Sequence, residues 1–114
     1  MRDAYYHVFQ GRDLQHYFTL HSRGNGEAIL RSEGYTTKTS RDAGIESVRR
    51  HSPYESYYRK HGSGYGNYWF NLIASNGEII GTSETYSTVQ AREVGIAAVK
   101  RDGPVAVIVE KQTV

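Results

Sequence analysis

The chain contains no cysteine, so neither a disulfide framework nor a thiolate zinc site is available and stability has to come from packing. It also lacks a long hydrophobic run. The longest aliphatic stretch, Val105 to Val109, is far too short to cross a bilayer, and Met1-Arg2-Asp3-Ala4-Tyr5 offers no apolar segment that would serve as a signal peptide. The chain therefore reads as soluble, away from membranes and compatible with a reducing cytoplasm. Charge of one sign is missing too: 14 basic and 12 acidic residues are interspersed for a net charge of +2, no electrostatic footprint for duplex nucleic acid or an anionic membrane.

What is abundant is tyrosine, ten residues alongside a single tryptophan. Aromatic side chains suit a pleated surface and point to strand. The sequence is also internally duplicated. Asn25-Gly26-Glu27 recurs as Asn76-Gly77-Glu78, Ser32-Glu33 as Ser83-Glu84, and Tyr35 with Thr37 as Tyr86 with Thr88. Arg41, Gly44-Ile45, Val48, Arg50 and Pro53 recur as Arg92, Gly95-Ile96, Val99, Arg101 and Pro104, all at an offset of 51. Upstream of the turn the offset is 52, since Tyr17-Phe18-Thr19-Leu20 matches Trp69-Phe70-Asn71-Leu72, which places one extra residue in the first copy near Arg23-Gly24. The stretch Tyr54 to Arg59 aligns forward with Val105 to Glu110 and backward with the segment beginning at Tyr5. It closes one copy and opens the next, so the copies, about 5–56 and about 57–112, are expected to interlock as a single pseudo-two-fold domain over 1–114.

Local patterning gives the elements. His16 to Ser22 and Tyr68 to Ser75 alternate bulky with polar residues, the period of a half-buried strand, and each leads through an Asn-Gly turn into a return strand, Ala28 to Glu33 or Ile79 to Glu84. Thr37 and Thr88 offer helix N-caps, with Thr39 and Asp42 a competing cap in the first copy. Arg41, Gly44, Ile45 and Val48, like Arg92, Gly95, Ile96 and Val99, fall at i, i+3, i+4 and i+7, the inward stripe of an amphipathic helix. Basic residues and then a proline close each helix. A glycine inside a helix costs about 1 kcal/mol relative to alanine, so its presence on both stripes implies that the helix approaches the sheet closely. The elements run strand, strand, strand, helix, twice over, followed by a final strand Ala106 to Glu110, which its aliphatic composition marks as central. The fold class is α+β, a tandem repeat of β(3)-α-β units forming one mainly antiparallel sheet with both helices on one face.

These residues resemble the YegP-like family of small, mostly bacterial proteins of unknown function. Its repeat is matched by Tyr17-Phe18-Thr19-Leu20, Ser32-Glu33-Gly34-Tyr35, Gly44-Ile45-Glu46-Ser47-Val48 and Pro53, and again by Trp69-Phe70-Asn71-Leu72, Ser83-Glu84-Thr85-Tyr86 and Gly95-Ile96-Ala97-Ala98-Val99. Ala98 departs from the usual serine, as does the extra turn residue. The resemblance implies two β(3)-α-β units that share a sheet and exchange their C-terminal strands, and it implies no activity, catalytic residue or cofactor.

The residues themselves supply no catalytic set. His7, His16, His21, His51 and His61 lack paired ligand spacing and read as structural or solvated. Glu33 and Glu84, each beside a serine and near Tyr35 or Tyr86, have the makings of a symmetric acid/base site, for which a pocket joining all four residues is required; the competing reading is turn chemistry. The glycines of His61 to Gly66 lack the lysine and following helix of a phosphate loop. The better candidate is a surface. If Phe18, Leu20, Phe70 and Leu72 face the helices, then Tyr17, Thr19, His21, Trp69, Asn71 and Ile73 face the other way. Three readings follow. The first is a non-enzymatic binding or protein-interaction module that uses this face and the corners at Glu33, Tyr35, Glu84 and Tyr86. The second is single-stranded nucleic-acid binding, and the third an enzyme with a site between the repeats. No metal or cofactor is implied, and one chain holding both halves is expected to be a monomer.

Overall fold

The computed structural model describes residues 3–110. Seven strands and two long helices follow in the order β1 (Tyr5–Gln10), β2 (His16–His21), β3 (Ala28–Ser32), α1 (Lys38–His51), β4 (Tyr58–Gly62), β5 (Tyr68–Ile73), β6 (Ile79–Thr82), α2 (Val89–Asp102) and β7 (Val107–Glu110), with one 3-10 turn at Glu55–Tyr57 leading into β4. The end of the second copy, residues 111 and 112, lies outside the described residues.

The strands form one sheet in the order β4-β5-β6-β3-β2-β1-β7, antiparallel throughout except where β7 joins β1. The two copies meet at β3 and β6, where Arg31 lies opposite Thr82 and Ser32 opposite Gly81. Each Asn-Gly turn closes through its own asparagine: Asn25 Oδ1 accepts from the Glu27 amide at 3.1 Å, and Asn76 Oδ1 from the Glu78 amide at 3.0 Å. The extra residue of the first copy is accommodated in that turn, where Ser22 and Glu27 close the hairpin in place of Ala74 and Glu78, and where Gly24 and Gly26 both adopt positive φ.

The helices begin where the threonines direct. Thr37 Oγ1 accepts from the Ser40 amide and Thr88 Oγ1 from the Ala91 amide, each at 3.0 Å, so Thr37 prevails over Thr39. Both helices cover the same side of the sheet and enclose Tyr6, Val8, Phe18, Leu20, Leu30, Ile45, Val48, Tyr58, Phe70, Leu72, Ile96 and Val99. The inward glycines serve a more particular purpose than close approach to the sheet. A Cβ on Gly44 would stand 2.4 Å from the Tyr35 hydroxyl, and one on Gly95 2.3 Å from that of Tyr86. Each glycine makes room for a tyrosine ring, and that ring stacks on Phe18 or Phe70.

Exchange between the copies is visible in the bonds. Tyr6 of the first copy donates to the carbonyl of Gly103, the C-cap of α2, at 2.6 Å, and Tyr58 donates to that of Ser52, the C-cap of α1, at 2.7 Å. Burial raises the ionisation of both phenols above the ordinary tyrosine value. The placement of the last strand differs from the sequence expectation. β7 is an edge strand, with Val107 57% and Ile108 47% exposed. One side of β1 is already taken by its hairpin partner β2, so the chain returning from α2 reaches only the outer side, in parallel. Aliphatic composition there reports strand propensity rather than depth.

Candidate functional site

Opposite the helices, none of the described elements covers the sheet. In a paired sheet, directly opposed residues share a face, and the register defines one row across all seven strands: Arg59, Asn71, Thr82, Arg31, Thr19, His7 and Val109. The row is held by hydrogen bonds. His61 Nε2 donates to Asn71 Oδ1 at 2.9 Å, and Asn71 Nδ2 donates to Thr82 Oγ1 at 2.9 Å. On the other half, His21 gives its Nδ1 proton to the Gly26 carbonyl and presents Nε2 to the Thr19 hydroxyl, both at 2.9 Å. Asn71 and Thr19 are buried by these contacts, whereas Arg31 and Arg59 are exposed.

Aromatic and imidazole rings border the row. Trp69 stacks on His61 with centroids 4.0 Å apart, and Tyr5 on His21 at 4.6 Å, both on one side of the row. On the other side Phe9 stacks on Tyr17 at 5.6 Å. Tyr17 donates its hydroxyl to Asp13 in the β1–β2 loop; that bond raises the Tyr17 ionisation and, from the other side, lowers that of Asp13.

The structure divides the sequence candidates into two groups. Tyr17, Trp69 and Asn71 lie on the open face. Tyr35 and Tyr86 lie on the helix side, where each lines its own groove. Tyr86 borders a groove of about 660 Å³ between α2 and the first copy's turn, together with Glu27, Glu84, Val94 and Arg101. Tyr35 borders its counterpart of about 310 Å³, between α1 and the second copy's turn, with Glu78 and Arg50. Burial, Glu84 and Glu27 push Tyr86 up to about 12, and burial, Glu33 and Glu78 raise Tyr35 in the same way. Glu33, Tyr35, Glu84 and Tyr86 are thus distributed over two separate places, and the joint pocket that an acid/base site between the repeats requires is not formed among the described residues. The serines beside the glutamates have structural work: Ser32 and Ser83 accept from the amides of Phe18 and Phe70 at 2.9 Å and donate to the carbonyls of Glu33 and Glu84. Among the described residues no three His, Asp or Glu side chains gather as metal ligands.

Sequence reasoning misses Arg31, Arg59 and Thr82. Arg59 is legible in principle, since it alternates with the buried Tyr58, but reading Tyr54 to Arg59 as a seam between copies conceals it. Arg31 is obscured by a register shift opposite Leu20, which leaves Ile29 and Leu30 consecutively buried and breaks the alternation of β3.

Fold and face together define a class: a duplicated, strand-exchanged α+β domain with one open sheet face. Two stretches, 12–58 and 65–110, match the family described as Domain of unknown function (DUF1508). The chain is 48% identical over 100 residues to UPF0339 protein YegP of Escherichia coli strain K12, covering 88% of this chain and 90% of that one. It is 45% identical over 99 residues to a UPF0339 protein of Bordetella pertussis, covering 87% and 88%. The solution NMR structure of yegP from E. coli, described as a protein of unknown function, superimposes with a TM-score of 0.89 at 43% identity, over 97% of this chain and 95% of that one. That of a UPF0339 protein from Shewanella oneidensis gives 0.87 at 41% identity, over 95% and 91%. The chain belongs to this YegP-like family, whose function is unknown.

Proposed function

We propose that the protein is a non-enzymatic binding module whose working surface is the helix-free face of the sheet. The observation that carries this reading is the contrast between the two faces. The helix face is closed over a packed core, while the other presents stacked rings and a hydrogen-bonded polar row that none of the described elements covers. Rings on an uncovered sheet provide area for a partner at little entropic cost, because their orientation is already set by stacking. The corners at Tyr35 and Tyr86 are not part of this surface; they anchor the helices. The chain acts as a monomer in the cytoplasm, each half of the pseudo-dimer already holding the other's strand.

The test is a binding titration against a random peptide library and a set of oligonucleotides, comparing wild type with a Tyr17→Ala/Trp69→Ala double variant of unchanged circular dichroism. Saturable binding lost in the double variant supports the reading. Absence of any saturable ligand, or equal binding by both proteins, sinks it.

A further inference from the structure

Resting on the open-face reading, we infer that the ligand of this face is single-stranded nucleic acid. The net charge of +2 conceals a segregation. On the helix side most basic residues are paired with acids: Lys60 with Glu55 and Glu93, Lys100 with Glu55, Arg49 with Glu46, Arg92 with Glu93, and Arg101 and Arg23 with the buried Asp102, while Arg50 shares its groove with Glu78. On the open face the strands contribute Arg31 and Arg59, exposed and in no ion pair among the described residues, and no carboxylate. The acid that reaches this face, Asp13, sits at its loop end and is engaged by the Tyr17 hydroxyl. The strand acid Glu110 lies opposite Val8, which points into the core. Two unpaired guanidiniums with no strand-borne anion beside them call for an anionic partner.

The arrangement of the rings specifies what kind. Trp69 on β5 and Tyr17 on β2 lie on a diagonal across the row, three strand steps apart (about 14 Å at roughly 4.8 Å per step) and four residues apart along the strands (about 14 Å at roughly 3.4 Å per residue), with Arg31 of β3 in the row between them. Rings at the two ends of that diagonal with a cation midway suit an extended strand of several nucleotides, its bases stacking at the ends and a phosphate near Arg31. Duplex fits poorly: no helix projects from this face to enter a major groove, and the rings need bases that are already unstacked.

Trp69 is the chain's single tryptophan and so reports from the proposed site. The experiment titrates the full chain with a twelve-nucleotide oligothymidylate and oligouridylate, and with a duplex of mixed sequence, at low and moderate salt. Trp69 fluorescence and the anisotropy of end-labelled oligonucleotide are read together. Single strands are expected to quench Trp69 saturably and to bind more tightly than duplex. In the Arg31→Gln/Arg59→Gln double variant the slope of log affinity against log salt should flatten by about 1.4, two phosphates at about 0.7 each for single strands. The Tyr17→Ala/Trp69→Ala variant, followed by anisotropy, should bind roughly tenfold or more weakly. No saturable binding of either single strand at low salt overturns the inference, as does a salt slope that the arginine variant leaves unchanged. If the oligonucleotides fail while library peptides saturate and need Tyr17 and Trp69, this inference falls and the open-face reading stands; if both fail, both fall.

Discussion

Around Phe18 and Phe70, beneath the helices, the two copies use the same contacts. Ser32 and Ser83 receive the Phe18 and Phe70 amides at 2.9 Å in each case, Tyr35 and Tyr86 stack on those phenylalanines with centroids 6.4 Å apart in both, and Gly44 and Gly95 yield to the two phenols. Across the sheet, equivalent positions hold different residues: Phe9 against His61, Tyr17 against Trp69, Thr19 against Asn71, His21 against Ile73, Arg31 against Thr82. Packing explains the first set, because a buried contact that changes volume or leaves a polar atom unpaired costs stability at once. An uncovered face is under no such constraint. Its two halves have accordingly diverged, one rich in rings and the other carrying tryptophan and asparagine.

The comparison makes its largest prediction in the core. Phe18 and Phe70 are both fully buried at equivalent places, so Phe18→Ala and Phe70→Ala should each cost about 3–5 kcal/mol. Because the copies exchange strands, each variant should still unfold in one step. Urea denaturation followed by far-ultraviolet circular dichroism and by Trp69 fluorescence should give coincident transitions in both. Separate transitions, with only one half lost, would show that the copies fold independently and would break the interlocked reading.

How much of this was legible in the sequence depends on how local the cause is. The duplication, the Asn-Gly hairpins and the capping of both helices by Thr37 and Thr88 rest on short spacings, and each is found in the structure. The edge position of β7 is not local, because it depends on which side of β1 remains free after β2 has paired. Gly44 and Gly95 stand on the inward stripe as expected, but what faces them, Tyr35 and Tyr86, becomes clear only when the corner folds back over the helix. The same fold-back separates those tyrosines from Tyr17 and Trp69, which sequence reasoning placed in one working surface. Arg31 is hidden for a different reason: two successive residues of β3 face the core, and alternation counted from either end fails.

A middle-sized effect is expected where the copies perform one task with different chemistry. At the end of α1, His51 donates Nδ1–H to the Ser47 carbonyl at 2.7 Å and accepts the Ser75 amide on Nε2 at 3.1 Å. At the end of α2 the equivalent residue is Asp102, which accepts the Arg23 amide at 3.2 Å and both Arg101 nitrogens at 2.8 and 2.7 Å. Burial resists ionisation of Asp102, but the Arg101 bonds and the Arg23 amide outweigh it and hold the carboxyl below its ordinary value. A depressed folded value means that the contribution is fully present above the unfolded value of about 3.9 and is lost as pH falls through the folded one. Asp102→Asn should cost about 1–2 kcal/mol at neutral pH, discounted because Arg101 and Arg23 are 43% and 55% exposed and can rehydrate. The gap between wild type and variant in urea midpoints should close as pH drops below about 4. A gap that stays constant between pH 7 and pH 3 would mean that the carboxylate charge plays no part in the clamp.

The smallest expected effect on stability is the most telling for function. Arg31 and Arg59 are exposed and make no ion pair among the described residues, so Arg31→Gln and Arg59→Gln should each leave the unfolding free energy within about 0.5 kcal/mol of wild type. Two helix-side arginines at equivalent positions of the copies differ in this respect: Arg41 and Arg92 are largely buried, each bonded to the neighbouring carboxylate of Asp42 or Glu93, and Arg92 also donates to the His61 carbonyl at 2.8 Å. Replacing Arg92 by glutamine therefore leaves a half-buried acceptor unpaired, whereas Arg31 and Arg59 make no ion pair among the described residues that folding would lose. Measured side by side in urea, Arg92→Gln should be clearly destabilised and the two open-face variants should not. If Arg31→Gln or Arg59→Gln proved as costly as Arg92→Gln, those guanidiniums would be structural, and the open face would lose its claim to hold charge in reserve for a partner.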